Sequence, residues 1–367
     1  MRAVAVIPGK ADSLHLREVP RPRVDDVAEG RGVRVDVIRV GVCGTDREIV
    51  EGLFGTAPAG DEFLIVGHEN LGRVVETGAN VASSLRPGSL VVATVRRPGN
   101  SIYDQIGLPD MTTDEPRERG INRIHGFLAE SYVDDESFLV PLPDALEAVG
   151  VLLEPLSIVE KAIRQAYEIQ RRLRVWQPAR AAVLGAGTIG LLTALALRLR
   201  GLEVTVYSRR PAPYLNSELL EAIGATYLSS ADHSLAQLEQ AAGPLDLILD
   251  ASGYSPLALG AGEILGKNGV LVLVSVTGGD VTAELPTDHI NQGFVLDNKV
   301  MVGTVNAAHE DFVDGVEDLL RSEATYPGWL GQLITMRVDG LDRFPEMLGH
   351  LRDNKDAIKV VVEVAGR

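Results

Sequence analysis

Two different rhythms of apolar and polar residues run along the 367-residue chain, and they change over near residue 145. Before it, the segments "VRVDVIRVGVC", "NLGRVVETG" and "SLVVATV" alternate or are β-branched, which predicts half-buried strands, with "RPGS" at 86–89 as a turn. Between 96 and 126 the text is rich in Pro, Gly, Asp and Thr and predicts a long irregular lobe, a length of loop usually kept for function. After 145, "ALEAVGVLLEPLSIVEKAIRQAYEIQRRL" carries a helical period. Strand-like and helix-like runs then alternate: "AAVLGAG", "IGLLTALALRLRG", "VTVYSRR", "SELLEAIGA", "LDLILDASG", "GVLVLVSV". That alternation predicts a parallel sheet with helices on both faces. Beyond 300, "VMVGTVNA" and "AIKVVVEVAG" return to strand-like text. The expected fold is therefore α/β, with a mostly-β part and a doubly wound part.

Within the second rhythm, Gly185, Gly187 and Gly190 stand in a G-x-G-x-x-G pattern between a strand and a helix that opens with Thr188 and Ile189. The first glycine permits a tight turn, the second lets a pyrophosphate approach the backbone, and the third lets helix and strand pack closely. The free N–H groups of the helix start then favour the anion. Any Gly-rich turn can mimic the pattern; the preceding strand, the following helix and the second strand make it a dinucleotide site. That second strand ends in Ser208, Arg209 and Arg210 rather than in an acidic residue. A carboxylate there would repel a 2′-phosphate, whereas Ser and Arg donate to it, so NADP is expected, with NAD use possible. The plainer alternative is a solvated basic loop.

Composition narrows the partners. With 51 acidic against 35 basic residues, the formal charge of -16 argues against nucleic acid and anionic membranes and for a small molecule. No apolar run is long enough to span a bilayer, and the expected location is the cytoplasm. A single cysteine, Cys43, excludes a disulfide framework and a four-cysteine zinc site within one chain. Taken alone, a free cysteine reads as a small buried apolar residue. Yet "VGHEN" supplies His68 and Glu69, and "LLEPLS" supplies Glu154, each unremarkable by itself. Cys43, His68 and Glu154 together offer the thiolate, imidazole and carboxylate that a catalytic zinc accepts while keeping one position open. Pro155 disfavours helical geometry at Glu154 and suits a helix start there.

The ordered set "GVCGTD", "GHE", "VRRPG", "ERGI", "HGF", "EP", "GAGTIG" and "NKVMVGTVNA" resembles the zinc-dependent medium-chain dehydrogenases and, among them, the archaeal-type glucose 1-dehydrogenases, over essentially the whole chain. The resemblance implies a GroES-like catalytic domain from 1–155 and 304–367, a Rossmann domain from 156–303, and a homo-oligomer, dimer or tetramer. It implies one catalytic zinc bound by Cys43, His68 and Glu154, with Glu69 beside it as an alternative or water-mediated ligand. Thr45 would contact the reacting oxygen and begin a proton relay; its plainer role is a bond to a turn backbone. Glu118 and Asn306 match sugar-binding positions, Asn306 also reaching the cofactor, and His125 lies near in sequence. Two positions depart from some members: Ile158 replaces an acidic residue and Val95 an asparagine. The cysteines that hold a second, structural zinc in many members are missing here, so no structural zinc is expected and the lobe must be held by its own packing. Asp104, Asp110 and Asp114 there offer an alternative hard-cation site, though exposed acidic loops are common in acidic proteins.

The expected reaction is oxidation of D-glucose at C1 to the gluconolactone, with reduction of NADP. The alternatives are a zinc polyol or alcohol dehydrogenase and a zinc-free quinone or enoyl reductase, the last leaving Cys43, His68 and Glu154 without a shared reason to be present.

Overall fold

The structure, a computed structural model, describes residues 1–82 and 84–364. The last two residues of the strand-like run at 357–366 lie outside the described residues. The chain divides into one unit made of Met1–Ser157, Asn306–Leu320 and Leu330–Arg367, and a second made of Ile158–Val305 and Arg321–Trp329.

The first unit is built on a seven-stranded sheet. Its order runs Leu139–Leu142, Leu90–Ala93, Glu69–Thr77, Gly32–Val42, Lys359–Glu363, Ile334–Asp339, and Ser131–Asp135 pairs with Gly32–Val42. The long central strand shows why. Val33, Val35 and Val37 point inward at the expected period of two, but the next inward valines are Val40 and Val42. An irregularity in the pairing between Val37 and Arg39 absorbs the odd residue and keeps both sets on the core side. Gly41 then lies opposite Glu69 on one neighbouring strand and Val361 on the other.

The lobe at 96–126 is more regular than its composition suggests. It holds a short helix, Ile102–Gln105, and a small sheet of Arg96–Arg97, Arg117–Arg119 and Arg123–Ile124. The run from 145 is helical only from Leu153: 3₁₀ turns at Asp144–Leu146 and Gly150–Leu152 precede the helix Leu153–Gln170. Glu154 and Pro155 occupy its first turn, where the missing N–H of proline costs nothing. Between the two strand-like stretches of the tail lie the helices His309–Thr325 and Phe344–Asp353.

The second unit carries six parallel strands in the order Thr226–Ser229, Glu203–Ser208, Arg180–Leu184, Leu245–Asp250, Leu265–Leu273, Val300–Gly303. This is the doubly wound 3-2-1-4-5-6 order, whose ligand crevice lies at the carboxyl ends of the strands. Leu184, Tyr207, Leu238, Ile248 and Leu271 form one of its buried apolar clusters. No helix among the described residues is long and apolar enough to cross a membrane.

Candidate active site

In the first unit, Cys43 ends the run of the central strand and directly precedes the helix Gly44–Val50. Asp46, fully buried in that helix's first turn, accepts a hydrogen bond from the Cys43 backbone N–H at 2.9 Å. Its other oxygen faces His68 Nδ1 at 3.6 Å, while His68 Nε2 lies 3.4 Å from Cys43 Sγ. A carboxylate behind an imidazole fixes ring orientation and raises ligand basicity, the usual support for a metal-binding histidine. Donor atoms of Cys43, Asp46 and His68 lie within 4.8 Å of one another, and so do those of His68, Glu69 and Glu154. His68 belongs to both groups. Thr45 is half-buried on the same helix, two residues from Cys43.

Beneath these groups sits Lys359, whose Nζ donates to both oxygens of Glu69 at 2.6 and 2.7 Å. Lysine and glutamate are each only 2% exposed. The carboxylate reaches that position across Gly41: a β-carbon there would lie 2.1 Å from Glu69 Oε2, so no larger residue fits. The sequence singles out neither Asp46 nor Lys359. Asp46 was visible inside "GVCGTD" as a helix-start acid, but Lys359 lies 290 residues from Glu69 and only the fold brings them together.

The electrostatics call for a cation. Three buried carboxylates, Asp46, Glu69 and Glu154, and the Cys43 thiol surround one lysine and one histidine. Burial pushes Glu154 up to about 7, helped by Glu69 and Asp46 and opposed by His68 and Lys359. Burial works against charge on His68 too, but Asp46 and Cys43 outweigh it and hold its pKa well above the usual range. Lys359 is likewise kept charged against burial, by Glu69 and Cys43. A metal ion among these donors would displace the imidazole proton and ionise the acids outright. The Cys43 sulfur in one set and the Glu69 and Glu154 oxygens in the other share the His68 imidazole, and such mixed sulfur, nitrogen and oxygen donors suit four-coordinate zinc. The residues therefore fit the ion.

Glu118 is buried in the strand Arg117–Arg119 and engaged by three side chains: Arg96 Nη2 donates to Oε1 at 3.0 Å, Asn306 Nδ2 to the same oxygen, and Asn122 Nδ2 to Oε2 at 2.7 Å. Asn306 adopts φ +62°, which leaves the strand conformation of Val300–Gly303 behind and turns its amide onto Glu118. The loop that follows Glu118 rests on the one bearing His68. A β-carbon on Gly120 would lie 2.3 Å from Gly67 O. Val95 is buried.

His125 is turned elsewhere. Its Nδ1 accepts from the Ile65 backbone N–H, its Nε2 meets Asp61 at 3.1 Å, and its ring stacks on Phe63. Burial lowers its pKa against the pull of Asp61. The three lobe aspartates do not converge as a metal set among the described residues. Asp104 Oδ2 instead accepts from the Ser101 N–H, the Ser101 hydroxyl and the Thr112 hydroxyl, and Asp114 accepts from the Asn100 N–H. They clamp the turn at Gly99, where a β-carbon would lie 2.6 Å from Asp114 Oδ2.

In the second unit, Gly185 has φ +99° and sits against Ala251 O, and a β-carbon on Gly190 would lie 2.1 Å from Gly185 O. A β-carbon on Gly187, in contrast, would meet no other part of the described chain within 4 Å. This is the opening the pattern requires, at the start of the helix Thr188–Leu199. Ser208 closes its strand half-buried, and Arg209 and Arg210 follow exposed, with the Arg210 guanidinium 4.6 Å over the Tyr214 ring.

Comparison with known proteins gives this geometry a lineage. Residues 29–144 match the model for the alcohol dehydrogenase GroES-like domain, and residues 147–364 the model for the glucose dehydrogenase C-terminus. Together with the parallel sheet they define a zinc-dependent medium-chain dehydrogenase/reductase. The chain belongs to the glucose dehydrogenase family of that class. A glucose 1-dehydrogenase of Methanocella arvoryzae is 43% identical over 99% of both chains, and one of Thermoproteus tenax 38% identical over 99% of both. The solved structure of Haloferax mediterranei glucose dehydrogenase, in complex with NADP, Zn and gluconolactone, superposes with a TM-score of 0.88 at 32% identity, covering all of both chains.

Proposed function

We propose that this protein oxidises D-glucose at C1 to D-glucono-1,5-lactone, with NADP as the hydride acceptor and one catalytic zinc per chain. The observation that carries the reading is His68, shared by the donor sets Cys43–Asp46–His68 and His68–Glu69–Glu154, in a chain that is 43% identical over 99% of its length to a glucose 1-dehydrogenase.

Bound zinc would lower the pKa of the sugar's C1 hydroxyl, because an alkoxide expels hydride far better than an alcohol. Cys43, His68 and Glu154 would hold the ion, and Glu69, fastened to Lys359, would stand beside it as the alternative ligand. Thr45 contacts the reacting C1 oxygen and begins a proton relay, its hydroxyl accepting from the sugar hydroxyl as it donates its own proton toward solvent. Glu118 and Asn306 bind further sugar hydroxyls, since each buried hydroxyl needs a partner. The backbone N–H groups at Gly187, Thr188, Ile189 and Gly190 receive the pyrophosphate, Asn306 meets the cofactor as well as the sugar, and Ser208, Arg209 and Arg210 receive the 2′-phosphate. A weaker NAD activity remains, because Ser208 also hydrogen-bonds a ribose hydroxyl. Val95 and Ile158 offer no hydrogen bond where some relatives do, so galactose, xylose and other pyranoses are secondary substrates. With no structural zinc, the Asp104 and Asp114 clamps hold the lobe.

The catalytic part takes in 1–155 and 304–367 and the nucleotide part 156–303, and the enzyme works in the cytoplasm as a dimer or tetramer. Support for a partner copy comes from the second unit alone. Among the described residues its outermost strand, Val300–Gly303, leaves one edge unpaired, and Val276, Val281, Val295, Leu296 and Val305 are all more than half exposed. Edges and apolar patches of this kind are normally covered.

The test is a panel of sugars and polyols with NADP and NAD, following reduced-nicotinamide absorbance. Glucose with NADP gives the highest kcat/KM; a clear preference for an acyclic polyol or a simple alcohol refutes the sugar assignment.

A further inference from the structure

Arg96 and Arg97 are adjacent and equally buried, yet they are used differently. Arg97 is saturated: it donates to Thr94 O, Thr94 Oγ1, its neighbour's carbonyl and both oxygens of Asp134. It also lies 4.1 Å over the Phe138 ring. That is a structural arginine, with its donors spent inside the fold. Arg96 is 7% exposed, its Nη2 donates to Glu118 Oε1, and its Nε has no hydrogen-bond partner among the described residues. Burying a guanidinium while leaving a donor unspent is costly, and an apolar residue would fill a merely structural position better.

We infer that Arg96, with Asn122, is a positioning residue for sugar recognition. It holds Glu118 as a fixed carboxylate with one acceptor place left, so that Glu118 selects a single sugar hydroxyl. An ionised carboxylate offers about four lone-pair places. Arg96 and Asn306 fill those of Oε1, and Asn122 fills one of Oε2, so the remaining place is on Oε2. The Glu118 backbone is fixed as well: its N–H donates to Asn122 O, and its carbonyl accepts from the N–H groups of Ile121 and Asn122. Only a group that donates a hydrogen bond fits that place, which is the chemistry of a pyranose ring hydroxyl. The inference rests on Glu118 being a sugar-binding residue.

Its test compares glucose with its 2-, 3-, 4- and 6-deoxy analogues on the zinc-loaded enzyme and on Glu118→Gln, Arg96→Met and Arg96→Lys. In the unaltered enzyme one analogue is disfavoured through Glu118. Glu118→Gln and Arg96→Met both reduce the preference for glucose over that one analogue by about 10-fold or more, since hydrogen bonds to charged groups are the stronger class. The loss falls mainly on KM, and the other three preferences hold. Arg96→Lys recovers part of the lost preference, and it decides the matter if Arg96→Met does not fold. NADPH fluorescence checks that each variant still binds cofactor. Uniform loss across all five sugars in the Arg96 variants makes the residue structural and overturns the inference. It is equally overturned if Glu118→Gln removes one preference and the Arg96 variants keep it. If Glu118→Gln leaves every preference intact, the assignment of Glu118 to the sugar itself falls, and the role of Arg96 with it.

Discussion

The glycine-rich turn at 185–190 and the donor cluster around His68 solve opposite problems. The first is built from backbone over six consecutive residues, and its specificity lies in what is missing: side chains that would strike Ala251 O and Gly185 O, and a gap above Gly187. The second is built from side chains at 43, 46, 68, 69, 154 and 359, which the fold gathers from segments far apart in sequence. A backbone site is carried by a local motif and fails by steric intrusion. A side-chain site is carried by the fold and fails by loss of charge balance. The contrast can be broken experimentally at several points.

The largest effect is expected at Lys359. Lys359→Met strands the Glu69 carboxylate in the interior, and breaking a buried pair from one side costs about 3–5 kcal/mol. Denaturant unfolding should register that loss, and adding Glu69→Gln should recover most of it. No recovery in the double variant would mean that the lysine acts through packing and not through charge.

The glycine turn separates into two behaviours. Gly190→Ala drives a methyl into the Gly185 carbonyl and should cost about 1–3 kcal/mol of stability as well as NADP affinity. Gly187→Ala meets nothing in the protein, so the unfolding midpoint should stay put while KM for NADP rises. Equal destabilisation by both substitutions would remove the distinction between a turn glycine and a ligand-clearance glycine.

Cofactor choice is a smaller effect. Arg209→Ala with Arg210→Ala should raise KM for NADP about 10-fold relative to that for NAD, the loss of charge-assisted contacts to one phosphate. A parallel rise for both cofactors would place these arginines outside the 2′-phosphate site.

How much of this is legible in the sequence follows the same division. The parallel sheet, the Gly185–Gly190 turn and the strand Gly32–Val42 are readable because local period and local spacing determine them. Cys43, His68 and Glu154 are readable as residue types, though nothing local shows that His68 stands between two acidic groups. Asp46 is legible only as a helix-start acid, and Lys359, Arg96 and Asn122 carry no signal of their role, since an ion pair or a positioned carboxylate exists only after the strands have met. The lobe at 96–126 misleads for a related reason. Its Pro, Gly and Asp content is that of a loop, but hydroxyl-to-carboxylate bonds around Asp104 and backbone bonds to Asn122 and Thr56 give it regular structure. The helix expected from 145 begins only at Leu153, where the apolar period is no longer interrupted by the turns at Asp144 and Gly150.

The smallest expected effect concerns that lobe. Asp104 is held at about 2: burial pushes it up, but the Thr112 and Ser101 hydroxyls and the N–H groups of Gly99 and Ser101 pull it down further. Because the folded value lies below the ordinary one, the clamp contributes stability above about pH 4 and loses it as pH falls toward 2. Amide exchange at 99–114 should accelerate over that interval ahead of exchange at 181–184, and Asp104→Asn should abolish the pH dependence. Exchange that rises in step at both places would show that the lobe has no separate acid transition.

We propose that one zinc ion, held through His68, makes the side-chain cluster a catalyst while the backbone site binds NADP independently of it. The direct measurement is zinc content per chain, together with glucose-dependent NADP reduction, for the unaltered enzyme and His68→Ala. The prediction is about one zinc and full turnover in the first, and in the variant near-zero zinc, turnover reduced more than about 100-fold and NADPH binding retained, because even loss of an outer-shell partner costs 10–100-fold. Full glucose oxidation by a zinc-free preparation in excess chelator would contradict it.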